Sequence, residues 1–171
     1  MKSDELRSLQ APLKAQYRDN PQKAQITLKA HGALGDGLSC SVQTSKALVE
    51  AGLHPATGGD GMFACSGDML LESLIACAGV TLQAVATALG ITVSGGKLSA
   101  EGDLDFRGTL GVDKDVPVGF KAIRLHFDLD TDAQDAELES LFKLTKRYCV
   151  VYQTLTNNPH VSTTVTAASD K

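Results

Sequence analysis

The sequence contains no tryptophan and few other large rings, with 5 phenylalanines and 3 tyrosines among its 171 residues. Because 43% of the residues are hydrophobic, the chain can still bury a sizeable core, which must consist mainly of Ala, Val, Leu and Ile. The length predicts one domain, or one domain with an arm. A core this poor in aromatic rings favours additional burial by oligomerisation.

Basic charge is also scarce, with 16 Lys and Arg against 20 Asp and Glu and a net charge of −4. No basic run or stripe is present, so we expect neither nucleic acid nor a membrane surface as a partner. The start, MKSDELRSLQ, lacks the apolar segment of a secretory signal, which favours a cytoplasmic location. Polar side chains interrupt the longest apolar run, 69–89, which predicts a buried helix and no membrane span.

The four cysteines, Cys40, Cys65, Cys77 and Cys149, lack the spacing of a metal site. No two form a C-x-x-C pair, and no histidine lies three to five residues from any of them. We therefore expect no metal and no cofactor. A chain of this length in a reducing compartment does not need structural disulfides either. The cysteines are accordingly expected to be reduced thiols, which are either inert or catalytic.

The hydrophobic pattern predicts an α+β fold in the order hairpin, buried helix, strands, amphipathic helix and strand. Residues 1–22 form an N-terminal helical arm in this interpretation, and residues 23–171 form the main domain. The hairpin has its turn in GALGDG, residues 32–37. Residues 157–169, NNPHVSTTVTAAS, predict a turn and a last strand.

Two helices carry cysteines on their core-facing sides. The first covers 68–89, is apolar nearly all the way round, and is followed by Gly90 as its expected C-terminal cap. The second starts at a capping pair, Thr131 and Gln134, and continues past Cys149. Ser66 or Asp68 is expected to cap the first helix.

Each of these helices contains a motif that resembles one of the OsmC/Ohr family, the osmotically inducible protein C and organic hydroperoxide resistance proteins. SGDMLLESLIACAGVTL, which contains Cys77, resembles the family's first cysteine motif. YCVVYQTL, which contains Cys149, resembles the second, Cys-Pro-Val followed by a helical turn ending in Leu. The resemblance covers nearly all of 23–171, which would be an OsmC-like domain. It implies antiparallel sheets around two long central helices, in an intertwined homodimer with two interfacial sites.

The resemblance also implies a redox chemistry for the two cysteines. Cys77 would attack an organic hydroperoxide and become a sulfenic acid, and Cys149 would condense with it to a disulfide that a dithiol reductant reopens. The protein would then be a thiol peroxidase in oxidative stress defence. We expect the two cysteines to lie close enough for a disulfide.

Three positions depart from the family's pattern. Its peroxidases lower the cysteine pKa with an arginine from the N-terminal hairpin, held by a glutamate ten residues before the first cysteine. Here that position is Gly67, with Asp68 beside it, and no arginine lies between Arg18 and Arg107. Val150 stands where the family has proline.

The candidates for a cation beside Cys77 are Lys29, His31 and Lys46 near the hairpin, and Arg107 and Arg147 elsewhere. Asp68 is a candidate to hold such a cation, or simply a helix N-terminal charge.

Without a cation, burial raises the pKa of a thiol, so we expect Cys77 to titrate high and to react slowly. The alternative function is therefore a dimer, catalytically weak or inactive, that binds a small apolar or sulfur-containing ligand between its helices. Cys65, at the start of the first helix, is a further candidate thiol, whereas Cys40 in a strand is expected to be packing.

Overall fold

The computed structural model of the chain describes residues 2–20, 31–34, 39–43 and 48–166. Helices and strands are mixed along the chain, which confirms the α+β class predicted from the sequence. The elements in chain order are α1 (Ser3–Asp19), β1 (His31–Leu34), β2 (Ser39–Gln43), β3 (Leu48–Gly52), β4 (Ala64–Cys65), α2 (Ser66–Leu89), β5 (Val93–Asp103), α3 (Phe106–Thr109), β6 (Ala122–Thr131), α4 (Asp135–Tyr148) and α5 (Val150–Thr156).

The N-terminal half contains α1 and a sheet with the strand order β1-β2-β3-β4. β1 and β2 pair antiparallel, with His31 opposite Gln43, so the predicted hairpin is present. Its first strand includes part of the predicted turn, however, because β1 extends to Leu34. α1 confirms the N-terminal helix and contacts α2, whereas the division into an arm and a domain stays a prediction.

The second sheet is the antiparallel pair of β5 and β6, which runs from Val93 opposite Thr131 to Asp103 opposite Ala122. Side chains alternate between half-buried and exposed along β6, as its sequence pattern predicts. β5 ends at Asp103, although the strand-like pattern of its sequence continues to residue 110. There the Asp105 carboxylate accepts the backbone N–H of Arg107 at 3.2 Å and starts the short helix α3.

α2 is the centre of the fold and packs against β5, α4 and α5. Leu82, Val85 and Ala86 of α2 form a buried cluster with Leu141 of α4. By length and composition α2 could cross a bilayer, but the core helix of a soluble protein passes the same test. The packing of α2 against three other elements identifies it as a core helix.

The sequence predicts the C-terminal cap of α2 correctly and its N-terminal cap incorrectly. Gly90 has the left-handed φ of 75°, and its N–H donates to the carbonyls of Ala86 and Thr87, which confirms the predicted cap. At the start, Cys65 is the capping position and makes no side-chain hydrogen bond, so the predicted caps Ser66 and Asp68 are wrong.

α4 begins one turn later than the capping pair Thr131 and Gln134 predicts. Its capping box consists of Gln134 and Glu137, whose Oε2 accepts the Gln134 N–H at 2.8 Å. Thr131 instead belongs to β6, where its hydroxyl donates to the Thr92 carbonyl at 2.6 Å.

The predicted second helix is broken at Cys149, whose extended backbone (φ −73°, ψ 109°) separates α4 from α5. Beyond α5, residues 158–166 have no regular secondary structure, so the predicted last strand is not found in this part of the chain.

Candidate active site

Cys77 and Cys149 meet where the middle of α2 faces the junction of α4 and α5. Cys77 is half-buried, Cys149 is 1% exposed, and both are free thiols. Their side chains are neighbours, close enough that each shifts the pKa of the other. The structure therefore brings together the two cysteines that the sequence singled out. Whether they reach disulfide geometry stays a prediction.

Local structure explains how each thiol reaches this place. Leu74, one turn before Cys77, is 2% exposed, so this side of α2 is turned into the core. The Cys149 N–H donates to the Thr145 carbonyl in the last turn of α4, at 2.9 Å. The Cys149 carbonyl accepts the Gln153 N–H of α5, also at 2.9 Å. Cys149 thus terminates one helix and starts the next, and its side chain is fixed against α2.

The pKa of the Cys77 thiol lies below its ordinary value, although burial by itself raises it. Hydrogen-bond donors that stabilise the thiolate outweigh the burial. These donors are, in order of their effect, the N–H of Val151, the thiol of Cys149, the N–H of Val150 and the hydroxyl of Thr81.

The pKa of Cys149 shifts in the opposite direction. Burial raises it most. The Tyr152 N–H, which donates to the Cys149 sulfur at 3.5 Å, lowers it in part. The hydrogen bond to Cys77 and the negative charge that develops there raise it further. As pH rises, Cys77 therefore ionises first while Cys149 keeps its proton.

This result corrects the expectation that Cys77 titrates high for want of a cation. Cys77 lies about three turns after the start of α2 at Ser66, beyond the reach of the dipole of its own helix. Backbone amides of α5 nevertheless lower its pKa. Thr81, Val150 and Val151 were missed by sequence analysis. Two signals were available: a hydroxyl four residues after Cys77, on the same helix face, and a valine with a free N–H at position 150.

Of the supporting residues proposed from the sequence, the structure describes the side chain of Asp68 alone. Asp68 is exposed in the first turn of α2, on the order of 13 Å along the helix from Cys77. It lines a separate cleft of about 370 Å³ with Cys65 and His54. Lys29 and Lys46 lie outside the described residues, as does the side chain of His31.

The two candidate arginines are engaged elsewhere. Arg107 binds the Asp105 carboxylate at 2.6 Å and lies 3.7 Å from that of Asp113. The guanidinium of Arg147 lies 5.8 Å from the centre of the Tyr148 ring. Within the parts of the chain that the structure describes, no cluster of three His, Cys, Asp or Glu could hold a metal ion.

Gly67 lines the same cleft as Asp68 and Cys65. A Cβ atom at this position would lie 3.5 Å from the Phe120 ring and 3.6 Å from the Cys65 sulfur. These are ordinary van der Waals distances, so the contacts at position 67 do not by themselves exclude a side chain.

A larger cavity of about 600 Å³ lies between β6 and the α4–α5 pair. Its wall is mainly apolar and includes Leu74 and Tyr152. Leu74 precedes Cys77 by about one helical turn, and Tyr152 follows Cys149 by about one turn. Neither cysteine lines this cavity. Its other apolar lining residues include Phe120, Ile123, Leu125, Phe127 and Phe142.

The sequence profile of a family described as OsmC-like protein matches residues 59–164, which contain both cysteines. The comparison with curated proteins gave no match. The fold resembles the crystal structure of an OsmC-like protein from Mycoplasma pneumoniae, with a TM-score of 0.66 and 17% identity over 78% of this chain and 90% of that one.

Two structures of organic hydroperoxide resistance proteins are similar as well. The Legionella pneumophila protein, whose description also calls it a predicted redox protein, has a TM-score of 0.61 and 18% identity, over 78% of this chain and 91% of that one. The Elizabethkingia anophelis protein has a TM-score of 0.62 and 14% identity, over the same shares of the two chains. Together, the profile match over most of the chain and the shared fold identify this protein as a divergent member of the OsmC-like family.

Proposed function

We propose that the protein is a cysteine-based thiol peroxidase that reduces organic hydroperoxides, with Cys77 as the attacking thiol and Cys149 as the resolving one. The observation that carries this proposal is the contact between two free thiols whose pKa values shift in opposite directions. A nucleophilic cysteine must be a thiolate, and a resolving cysteine must stay close to it. The hydroperoxide substrate is supported by the names of the Legionella and Elizabethkingia proteins.

In the first step, the Cys77 thiolate attacks the terminal oxygen of a hydroperoxide ROOH. The S–O bond forms as the O–O bond breaks, and the departing alkoxide takes up a proton to become the alcohol ROH. Cys77 is oxidised by two electrons to the sulfenic acid. Cys77 is half-buried and Cys149 is 1% exposed, so Cys77 is the more accessible of the two residues to a substrate.

In the second step, the sulfur of Cys149 attacks the sulfur of Cys77. The S–S bond forms, the S–O bond breaks, and hydroxide leaves as water with the proton of Cys149. A dithiol reductant then restores both thiols through a mixed disulfide and is itself oxidised to a disulfide. Because Cys149 is buried, we expect the reductant to attack the sulfur of Cys77.

A homodimer is part of this proposal, because one chain leaves much of α2 uncovered. Only 28% of the most apolar stretch of α2 is buried within the chain, and Val80 is 73% exposed. A second copy that covers this surface would bury the helix on the sides that remain open. A reducing, cytoplasmic location fits the free thiols.

The test is consumption of cumene hydroperoxide with dithiothreitol as the reductant. We expect Cys77→Ser to abolish turnover. Cys149→Ser should form the sulfenic acid, detected by dimedone labelling of Cys77, without closing the disulfide. Cys65→Ser, which changes a thiol in the separate cleft, is the matched control and should keep turnover. Undiminished turnover in Cys77→Ser would refute the proposal.

The 600 Å³ cavity favours the second candidate function, binding of a small apolar ligand. Its volume and its mainly apolar wall are typical of ligand sites. Because the chain has no tryptophan, binding can be followed with an extrinsic dye such as anilinonaphthalene sulfonate. Dye displacement by an apolar compound, together with absent peroxide turnover in the folded protein, would favour this function over the peroxidase.

A further inference from the structure

The break between α4 and α5 interrupts the ladder of backbone hydrogen bonds at the residue that carries the second thiol. The Cys149 N–H still donates to the Thr145 carbonyl at 2.9 Å, as the helical pattern requires. In a continuous helix the Lys146 carbonyl would accept the next N–H, that of Val150. Because the backbone of Cys149 is extended, the chain turns out of α4 at this point. The last turn of α4 therefore needs a donor from elsewhere.

The side chain of Gln153 is that donor. Its Nε2 donates to the Lys146 carbonyl at 2.8 Å, from a position seven residues further along the chain. Its backbone N–H donates to the Cys149 carbonyl at 2.9 Å. One residue of α5 is thus bonded both to the end of α4 and to the residue at the break.

Asn157, the residue at which α5 ends, holds the Gln153 amide in this orientation. Its Nδ2 donates at 3.0 Å to the Gln153 side-chain oxygen and at 3.0 Å to the Gln153 backbone carbonyl. Because the amide oxygen accepts from Asn157, the amide nitrogen is the atom that faces Lys146. Gln153, Asn157 and the Lys146 carbonyl together form what we term the α4–α5 clip.

The position of the Cys149 sulfur depends on the direction of α5. The Tyr152 N–H, in the first turn of α5, donates to this sulfur at 3.5 Å, so the sulfur is bonded to the helix that follows it. α4 and α5 both pack against α2, the helix that carries Cys77. A bond that fixes α5 relative to α4 therefore also fixes the Cys149 sulfur relative to α2.

We propose that Gln153 is a positioning residue that holds the Cys149 sulfur in place for disulfide closure with Cys77, and that Asn157 supports it. This inference rests on the proposed function in which Cys149 is the resolving thiol. The step concerned is the attack of the Cys149 sulfur on an oxidised Cys77, in which the new S–S bond forms as the bond from Cys77 to its leaving group breaks.

The test variant is Gln153→Met, which keeps the length of the side chain and a residue well suited to helices but removes both side-chain hydrogen bonds. Ser140→Ala is the matched control. The Ser140 hydroxyl donates to the Ala136 carbonyl at 2.9 Å, so this change also removes an exposed side-chain bond to a backbone carbonyl of α4, without touching the break.

The experiment measures closure of the disulfide without peroxide, in protein in which Cys40 and Cys65 are replaced by serine. One equivalent of the aromatic disulfide dithionitrobenzoate converts Cys77 to a mixed disulfide and releases a first thionitrobenzoate. Attack by the Cys149 sulfur then breaks that mixed disulfide, forms the Cys77–Cys149 bond and releases a second thionitrobenzoate, while the proton of Cys149 passes to solvent. Absorbance in a stopped-flow instrument gives the first-order rate of this second release at each pH.

We expect Gln153→Met to lower the closure rate at its high-pH plateau roughly fivefold relative to Ser140→Ala, because a hydrogen bond that positions the sulfur is lost. Asn157→Ala should slow closure less, since the bond to Lys146 remains. The double variant should be no slower than Gln153→Met, because the two residues act as one unit. A changed midpoint with an unchanged plateau would mean that ionisation and not position is altered, and would overturn the inference.

Far-UV circular dichroism and thermal unfolding establish that each variant is folded. If Gln153→Met fails to fold, the comparison of Asn157→Ala with Ser140→Ala decides the question. Closure in Gln153→Met that is as fast as in Ser140→Ala, or faster, would overturn the inference. Slower closure in Gln153→Met together with absent hydroperoxide turnover in the unsubstituted protein would overturn the proposed function and leave the role of Gln153 standing.

Discussion

The Cys149 thiol neighbours Cys77 and lowers its pKa, while the Cys149 sulfur accepts the N–H of Tyr152 at 3.5 Å. One thiol therefore stabilises the anion of the other and is itself kept protonated. This relationship makes the two cysteines unequal, although both come from apolar stretches of sequence.

The first prediction concerns pH. Because donors lower the pKa of Cys77 and burial raises that of Cys149, alkylation of Cys77 should rise with pH and level off at a lower pH than alkylation of Cys149. Cys149→Ala, which removes a donor, should move the Cys77 profile to higher pH, and Cys149→Ser, which keeps an O–H, should move it less. A Cys77 profile that stays in place in Cys149→Ala would contradict this relationship.

The second prediction concerns association. Val80→Asp places a charge on the exposed apolar face of α2 and should shift the protein from dimer to monomer in sedimentation velocity at micromolar concentration. Val112→Asp is the control, since Val112 is equally exposed (72% against 73%) but lies in the loop after α3. A monodisperse monomer in the unsubstituted protein would exclude the homodimer.

The third prediction concerns the core. Leu141 is fully buried in the cluster between α2 and α4, so Leu141→Ala should lower the free energy of unfolding by about 2–5 kcal/mol. Urea unfolding followed by circular dichroism measures the change. Lys143→Ala, on the exposed side of the same helix, should change stability by less than about 0.5 kcal/mol. Equal losses of unfolding free energy in the two variants would mean that Leu141 is not part of the core between α2 and α4.

The fourth prediction concerns the start of α4. Glu137→Ala removes one half of the capping box and should cost about 1 kcal/mol in urea unfolding. Glu139→Ala removes another exposed glutamate from the same helix without touching the cap, and should cost distinctly less. If the two losses are the same, the helix does not depend on this cap.

The parts of the fold that could be predicted are those with local causes. The apolar run around Leu82 is enough to predict α2, because a buried helix shows its pattern in consecutive residues. Gly90 is enough to predict where α2 ends, because glycine readily adopts the left-handed conformation of a C-terminal cap. The alternation of apolar and polar residues in β6 predicts its half-buried and exposed sides in the same way. The start of α4 was misplaced because Thr131 and Gln134 match a capping box as well as the true pair does.

The two cysteines of the candidate site could be predicted from the sequence, but the hydrogen-bond donors that lower the pKa of Cys77 could not. Cys77 and Cys149 were identified from two motifs, whereas the break after α4 and the amide of Val150 depend on tertiary packing. The sequence offers only charged side chains as recognisable candidates to lower the pKa of Cys77. In the structure backbone N–H groups, which every residue except proline carries, contribute to this effect.

The α4–α5 junction also gives the protein an optical probe of its own. Two of the three tyrosines, Tyr148 and Tyr152, flank Cys149, and there is no tryptophan to mask their emission. Because both tyrosine rings lie within one helical turn of Cys149, their fluorescence should change when Cys149 forms a disulfide with Cys77. Fluorescence excited in the tyrosine band, recorded after mixing with an oxidant, would then follow the closing and reopening of the disulfide in real time without any label.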